Sequence, residues 1–182
     1  KFIIKGNQNY KTNNYTVEGD WSNAAFLLVG GAISGRVEVF GLNPLSKQAD
    51  VAILKALDLA GAKIMISGNS IEAIKSKLRG FEFDATHCPD LFPPLVILAA
   101  SCQGKSTLKG THRLIHKESN RAKVLQTEMG KIGINIELEG NDMIVHESKI
   151  TGGVIHSNND HRIAMAGAIA ALRSKNPITI QH

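Results

Sequence analysis

Three apolar runs organise the chain. They cover 24–33, 91–100 and 163–172, and each is preceded by an aspartate: Asp20, Asp90 and Asp160. Successive aspartates lie seventy residues apart, which marks an internal repeat. An aspartate just ahead of an apolar helical run stands where an N-cap belongs, so all three are expected to cap helices. Pro93 and Pro94 fall in the first turn of the second run, where a missing N–H does least harm. Each run leads to a short strand: 37–39 in the first unit, 107–108 in the second, 177–180 in the third.

The second halves of the first two units also match. Positions 49–60 read as an amphipathic helix ended by Gly61, with strands 62–66 and 70–74 joined through Gly68-Asn69. In the next unit 117–129 reads as the helix, with strands 134–138 and 143–145 joined through Gly140-Asn141. Gly-Asn pairs suit hairpin turns because both residues tolerate positive φ. The alternation in 134–138 fits a sheet with one buried face. The expected fold is α/β: repeated βαβαββ units around a pseudo-threefold axis, helices inside and sheets outside. The units span 20–84, 85–150 and 151–182, and the third stops after one helix and one strand. A half-built sheet exposes an edge, so the chain is expected to continue and to be a piece of a larger protein.

With 43% hydrophobic and 20% charged residues, the composition is that of an ordinary globular domain. Aromatics make up only 5%, so the core must be aliphatic, and a base-stacking nucleic-acid platform is disfavoured. The net charge of +5 favours an anionic partner, but Lys and Arg are scattered rather than clustered. A basic RNA-binding module therefore stands only as an alternative from another class. Cys88 and Cys102 show no disulfide or zinc spacing, and His87-Cys88 has no second ligand cluster, so no metal is expected. The longest strongly apolar run, 91–100, is too short to span a bilayer. Lys1 opens the chain with no signal peptide, and a cytoplasmic protein with reduced thiols is the simplest expectation.

Candidate chemistry gathers at helix starts. His161 and Arg162 follow Asp160 directly, and a positive pair at the positive end of a helix works against the helix dipole. Arg162 can fork onto a carboxylate or phosphate. Lys117, Glu118 and Arg121 are expected to open the helix 117–129, with Lys117 and Arg121 on one face. Read alone, Glu118 and Arg121 make one exposed intrahelical ion pair. If the three helix starts point the same way, they make an anion site. Gly104-Lys105-Ser106 resembles the end of a phosphate loop, but Ala99 stands where its first glycine belongs and a helix precedes it, so it is rejected.

These segments together resemble the EPSP synthase family. His116-Lys117-Glu118-Ser119-Asn120-Arg121 is similar to its Lys-Glu-Ser/Thr-Asp-Arg signature, and Asp160-His161-Arg162-Ile163-Ala164-Met165 to its Asp-His-Arg-Ile/Met-Ala-Met signature. Pro89-Asp90 resembles the segment holding its catalytic aspartate, and 15–20 the crossing between its two domains. Asn120 and Ile115 depart from the pattern: the first replaces an Asp, the second a basic residue.

The resemblance implies an inside-out α/β barrel of the enolpyruvyl transferase type. Residues 1–19 would close the N-terminal domain and cross over, and 20–182 would form most of the C-terminal domain. It implies transfer of the enolpyruvyl group of phosphoenolpyruvate to the 5-hydroxyl of shikimate 3-phosphate in the shikimate pathway, with no cofactor. Asp90 would be the base, Glu118 the acid, and Lys117 a catalytic contact to shikimate 3-phosphate. Arg121, His161 and Arg162 would hold phosphoenolpyruvate. The missing N-terminal domain of the same chain would be the main partner, with no nucleic acid and no membrane, and the piece alone would be inactive. A related enzyme acting on UDP-N-acetylglucosamine is the nearest alternative.

Overall fold

A computed structural model describes residues 2–115 and 117–182. Lys1 and His116, the first residue of the quoted Lys-Glu motif, lie outside them. Residues 2–17 are exposed and carry no helix or strand. Gly19 N–H then donates to the Gly41 carbonyl at 2.8 Å, and the ordered fold begins.

The first unit is α1 (Trp21–Ser34), β1 (Arg36–Phe40), α2 (Ile53–Leu59), β2 (Lys63–Ser67) and β3 (Ser70–Ile74). The second is β4 (Glu82–Asp84), α3 (Phe92–Ala100), β5 (Lys105–Lys109), α4 (Arg121–Lys131), β6 (Ile136–Glu139) and β7 (Asp142–His146). The third is β8 (Gly153–His156), α5 (His161–Ala171) and β9 (Ile178–Gln181). The second unit realises the full βαβαββ pattern, and its opening strand β4 lies within the span 20–84 expected for the first, because it pairs with β5. Among the described residues the first unit has no opening strand: no strand precedes Asp20.

Each unit builds its own sheet: β1-β3-β2, β4-β5-β7-β6 and β8-β9. The parallel pair β4/β5 recurs as β8/β9, and the antiparallel order β5-β7-β6 recurs as β1-β3-β2. Both hairpins close through two-residue loops with glycine at positive φ, Gly68 at 57° and Gly140 at 58°. The serines that follow the return strands repeat one device. Ser76 Oγ accepts from Lys63 N–H and Ser148 Oγ from Asn135 N–H. Their own N–H groups reach the last turns of α1 and α3, at the Ala32 and Ala100 carbonyls.

Helices α1, α3 and α5 pack on one another inside, each covered by its own sheet. All nine residues of α3 are buried, which explains a run without a polar face. Helix–sheet contact is close: a Cβ added at Gly31 would stand 2.7 Å from the Ala73 carbonyl oxygen. Burying this aliphatic core supplies the main driving force for the fold. The helix expected over 49–60 opens instead as a 3-10 turn, Ala49–Ala52, before α2.

Candidate active site

The starts of α1, α3 and α5 share one face, and the local sequence decides what each does there. Asp20 and Asp160 are N-caps: Asp20 Oδ1 accepts from Ser22 N–H at 2.9 Å and Asp160 Oδ1 from Arg162 N–H at 3.0 Å. Asp90 is not. It lies within a 3-10 turn, Pro89–Leu91, that prolongs the start of α3, and Cys88 occupies the cap position without a side-chain bond. Pro93 removes one of the two N–H groups, those of residues 92 and 93, that a capping Asp90 carboxylate could have accepted from. The Asp90 carboxylate is thereby released towards its neighbours.

The helix expected over 117–129 also starts later, at Arg121. Asn120 caps it, its Oδ1 accepting from Lys123 N–H at 3.4 Å. Lys117 and Glu118 therefore stand in the approach to α4 rather than on its face. The exposed intrahelical pair read from the sequence is replaced by something tighter. The Arg121 side chain is completely buried and binds three carboxylates. Its Nε donates to Asp160 Oδ2 at 2.8 Å, its Nη1 to Asp90 Oδ1 at 2.7 Å, and its Nη2 to Glu118 and to Asp160 Oδ1. Ser119 Oγ adds a weaker bond to Asp160 Oδ2 at 3.4 Å. Arg121 thus joins the starts of α3, α4 and α5 through the fixed geometry of its guanidinium.

Asp90 is surrounded by positive charge. Besides Arg121, Lys117 Nζ reaches its Oδ1 at 2.9 Å and Arg162 Nη2 lies 3.6 Å from its Oδ2. Burial is the largest single influence and would push its carboxyl up. Hydrogen bonds from Lys117 and Arg121 and the charge of Arg162 outweigh it together and hold Asp90 below the usual carboxylate range. Arg162 is mostly buried, and its Nε and Nη1 have no partner among the described residues. Two buried donors without acceptors are costly unless a ligand supplies them.

Of the residues singled out from sequence, the fold brings together Asp90, Lys117, Glu118, Arg121 and Arg162. His161 stands apart, exposed at the first position of α5. Two features escaped the sequence reading: the burial of Arg121, and a clasp around Gln48. Gln48 Oε1 accepts from Trp21 N–H at 2.9 Å, while its Nε2 donates to the Gly19 carbonyl at 2.9 Å and to Glu18. A glutamine two residues ahead of an acidic helical turn was the available signal. The thiols take no part: burial pushes both Cys88 and Cys102 up to about 12, which leaves them protonated. Among the described residues no three His, Cys, Asp or Glu side chains gather as a metal site. No described helix is long and apolar enough to cross a membrane.

The family model described as "EPSP synthase (3-phosphoshikimate 1-carboxyvinyltransferase)" matches residues 1–182. The chain belongs to the EPSP synthase family. It is 43% identical to the 3-phosphoshikimate 1-carboxyvinyltransferase of Clostridium novyi (strain NT), over all of this chain and 42% of that protein. It is 40% identical to the one from Clostridioides difficile (strain 630), again over all of this chain and 42% of that protein. A solved EPSP synthase from Acinetobacter baumannii superposes with a TM-score of 0.76 at 32% identity, covering 90% of this chain and 42% of the other. The chain therefore spans less than half the length of these relatives. Within the family's enolpyruvyl transferase type of fold, the cluster around Arg121 and Asp90 occupies the shared face of the three inner helices.

Proposed function

We propose that this chain forms most of the C-terminal domain of a 3-phosphoshikimate 1-carboxyvinyltransferase. In that enzyme the enolpyruvyl group of phosphoenolpyruvate passes to the 5-hydroxyl of shikimate 3-phosphate, and phosphate leaves. The reading adds a second domain of the same polypeptide, a cytoplasmic setting and inactivity of this piece alone. One observation carries it: Asp90 faces Lys117, Arg121 and Arg162 on the face where three helix starts meet. That arrangement pairs a carboxylate able to take a proton with cations able to hold two polyanionic substrates.

The reaction needs an acid and a base at separate atoms. The attacking hydroxyl oxygen bonds to C2 of phosphoenolpyruvate while C3 gains a proton and becomes a methyl group. The methyl then loses a proton as the C2–O bond to phosphate breaks, which restores the alkene. Asp90 takes the hydroxyl proton, and half-exposed Glu118, tethered by Arg121, supplies the proton to C3. Lys117 contacts shikimate 3-phosphate beside Asp90. Arg162 offers its unpartnered edge to the carboxylate or phosphate of phosphoenolpyruvate, with Arg121 behind it and His161 at the rim. Entering anions engage the cations that hold Asp90 down, so its basicity rises only once the site is loaded. Closure by a second domain would exclude water and complete the contacts.

The test is product identity. A full-length protein carrying this chain, mixed with phosphoenolpyruvate and shikimate 3-phosphate and followed by ³¹P NMR, should release phosphate and form the enolpyruvyl ether. UDP-N-acetylglucosamine should give neither. Transfer to the nucleotide sugar, or retention of RNA in a salt-dependent manner without turnover, would move the assignment to one of the two alternatives.

A further inference from the structure

Among the described residues four acidic side chains are buried: Asp50, Glu72, Glu128 and Asp160. Three of them have a cation: Glu72 pairs with Arg36, Glu128 with Lys131 and Asp160 with Arg121. Asp50 has none within 4.0 Å among the described residues, and its carboxylate accepts only the hydroxyl of Ser22. An isolated carboxylate is expensive to bury, and stability alone would favour replacing it. Its position is also informative. Asp50 lies in the turn that opens the second helical segment of unit one, where Arg121 lies in unit two. Both face the start of α3. Asp50 shares with Ser22, Gln48, His87, Lys117 and Asp90 a cavity of about 360 Å³.

We propose that Asp50 is a positioning residue that keeps Asp90 basic enough to accept a proton, by setting a second negative charge against the same cavity. This rests on the reading of Asp90 as the base. Lys117, Arg121 and Arg162 all stabilise the ionised form of Asp90, and three cations around one carboxylate make a poor base. A fixed charge of the same sign opposes them. The groups facing Asp50 come from every neighbouring element: Asp20 and Ser22 from α1, His87, Cys88 and Asp90 from the approach to α3, Lys117 from the approach to α4, and Arg162 from α5. Burial pushes Asp50 up most, and the charges of Asp90 and Asp20 add to this, against the Ser22 hydrogen bond and Arg162. The charge of Asp90 is thus felt at Asp50, and the interaction of two charges is mutual.

Asp50→Asn removes the charge but retains an oxygen for the Ser22 hydroxyl, whereas Ser22→Ala removes the bond and retains the charge. Both are made in the full-length protein with ¹³C-labelled aspartate, the Asp90 carboxyl being assigned through Asp90→Asn. The expected result is a fall of about half a unit or more in the Asp90 titration midpoint in Asp50→Asn, and no change in Ser22→Ala. An unchanged midpoint in Asp50→Asn, or equal movement in both variants, overturns the proposal and leaves Asp50 as an anchor for α1. Inorganic phosphate affinity at neutral pH and low salt gives a second readout. It should rise severalfold in Asp50→Asn, and an unaltered affinity there also counts against the proposal. Asp50→Ser serves the same readouts if the Asn variant does not fold. In turnover, Asp50→Asn should move the acid limb of the kcat profile down and lower its plateau, without raising the KM for phosphoenolpyruvate. A wild-type protein that turns over neither substrate would sink the functional reading, while the NMR midpoint would still decide the role of Asp50.

Discussion

Arg121 and Asp160 form an ion pair in which neither side chain reaches solvent, Nε to Oδ2 at 2.8 Å. Such a pair is weak evidence for stability by itself, because desolvation offsets the attraction. Removing one partner is another matter. Arg121→Met would leave Asp160 buried and unpaired, and would free Asp90 and Glu118 from their tether. A loss of about 3–5 kcal/mol is expected. Arg121→Lys should recover little of it, since an ammonium cannot reproduce the fork. Urea unfolding of the three proteins checks this, and a lysine variant as stable as wild type would contradict the hub role.

Acid should act through Asp90. Its folded pKa lies below its unfolded value. The stability it contributes is therefore present above the ordinary carboxylate range and is lost as pH falls through the lowered folded value. Asp90→Asn should reduce the stability difference between pH 7 and pH 3. Denaturant titrations at both pH values should show a shallower dependence in the variant; an identical dependence would mean the three cations do not stabilise ionised Asp90.

Arg162 offers buried Nε and Nη1 donors that have no partner among the described residues. Arg162→Ala should therefore raise the KM for phosphoenolpyruvate by about 10-fold or more, the order expected from losing a hydrogen-bonded charge. The effect on kcat should be smaller, because the ground-state anion uses the same contact. Steady-state kinetics with each substrate varied in turn separates the two.

Asn120 departs from the family's aspartate, yet it caps α4 through Lys123 N–H. Asn and Asp are about equally good caps, so Asn120→Asp should leave thermal stability nearly unchanged, while Asn120→Ala costs about 1 kcal/mol. Thermal melts of both variants decide it. A large gain from Asp would show that the departure weakens the site.

The repeat was legible because its signals are local. Aspartates spaced seventy apart, apolar runs and Gly-Asn turns marked the repeat, the hairpins and the inner helices. The helix starts were less legible, because competing caps read alike in sequence. Asp90 looks like Asp20 and Asp160, and only the proline-bearing turn around it sets its carboxylate free. Lys117 and Glu118 fit a helical face until Asn120 takes the cap. Burial of Arg121 was invisible for a different reason: its partners Asp90 and Asp160 are 31 and 39 residues away. Asp50 gave no signal beyond its place in a helical turn, since what sets it apart is burial with no cation beside it among the described residues.

We propose that Asp90 and Glu118 move protons in enolpyruvyl transfer. The most direct measurement is kcat of Asp90→Asn and Glu118→Gln in the full-length protein, with phosphoenolpyruvate and shikimate 3-phosphate saturating. Melting temperature is recorded on the same samples. If they do, kcat falls by about 10²–10⁴-fold in each variant, with the protein still folded. Turnover at the wild-type rate by either variant would contradict it and reduce that residue to a structural partner of Arg121.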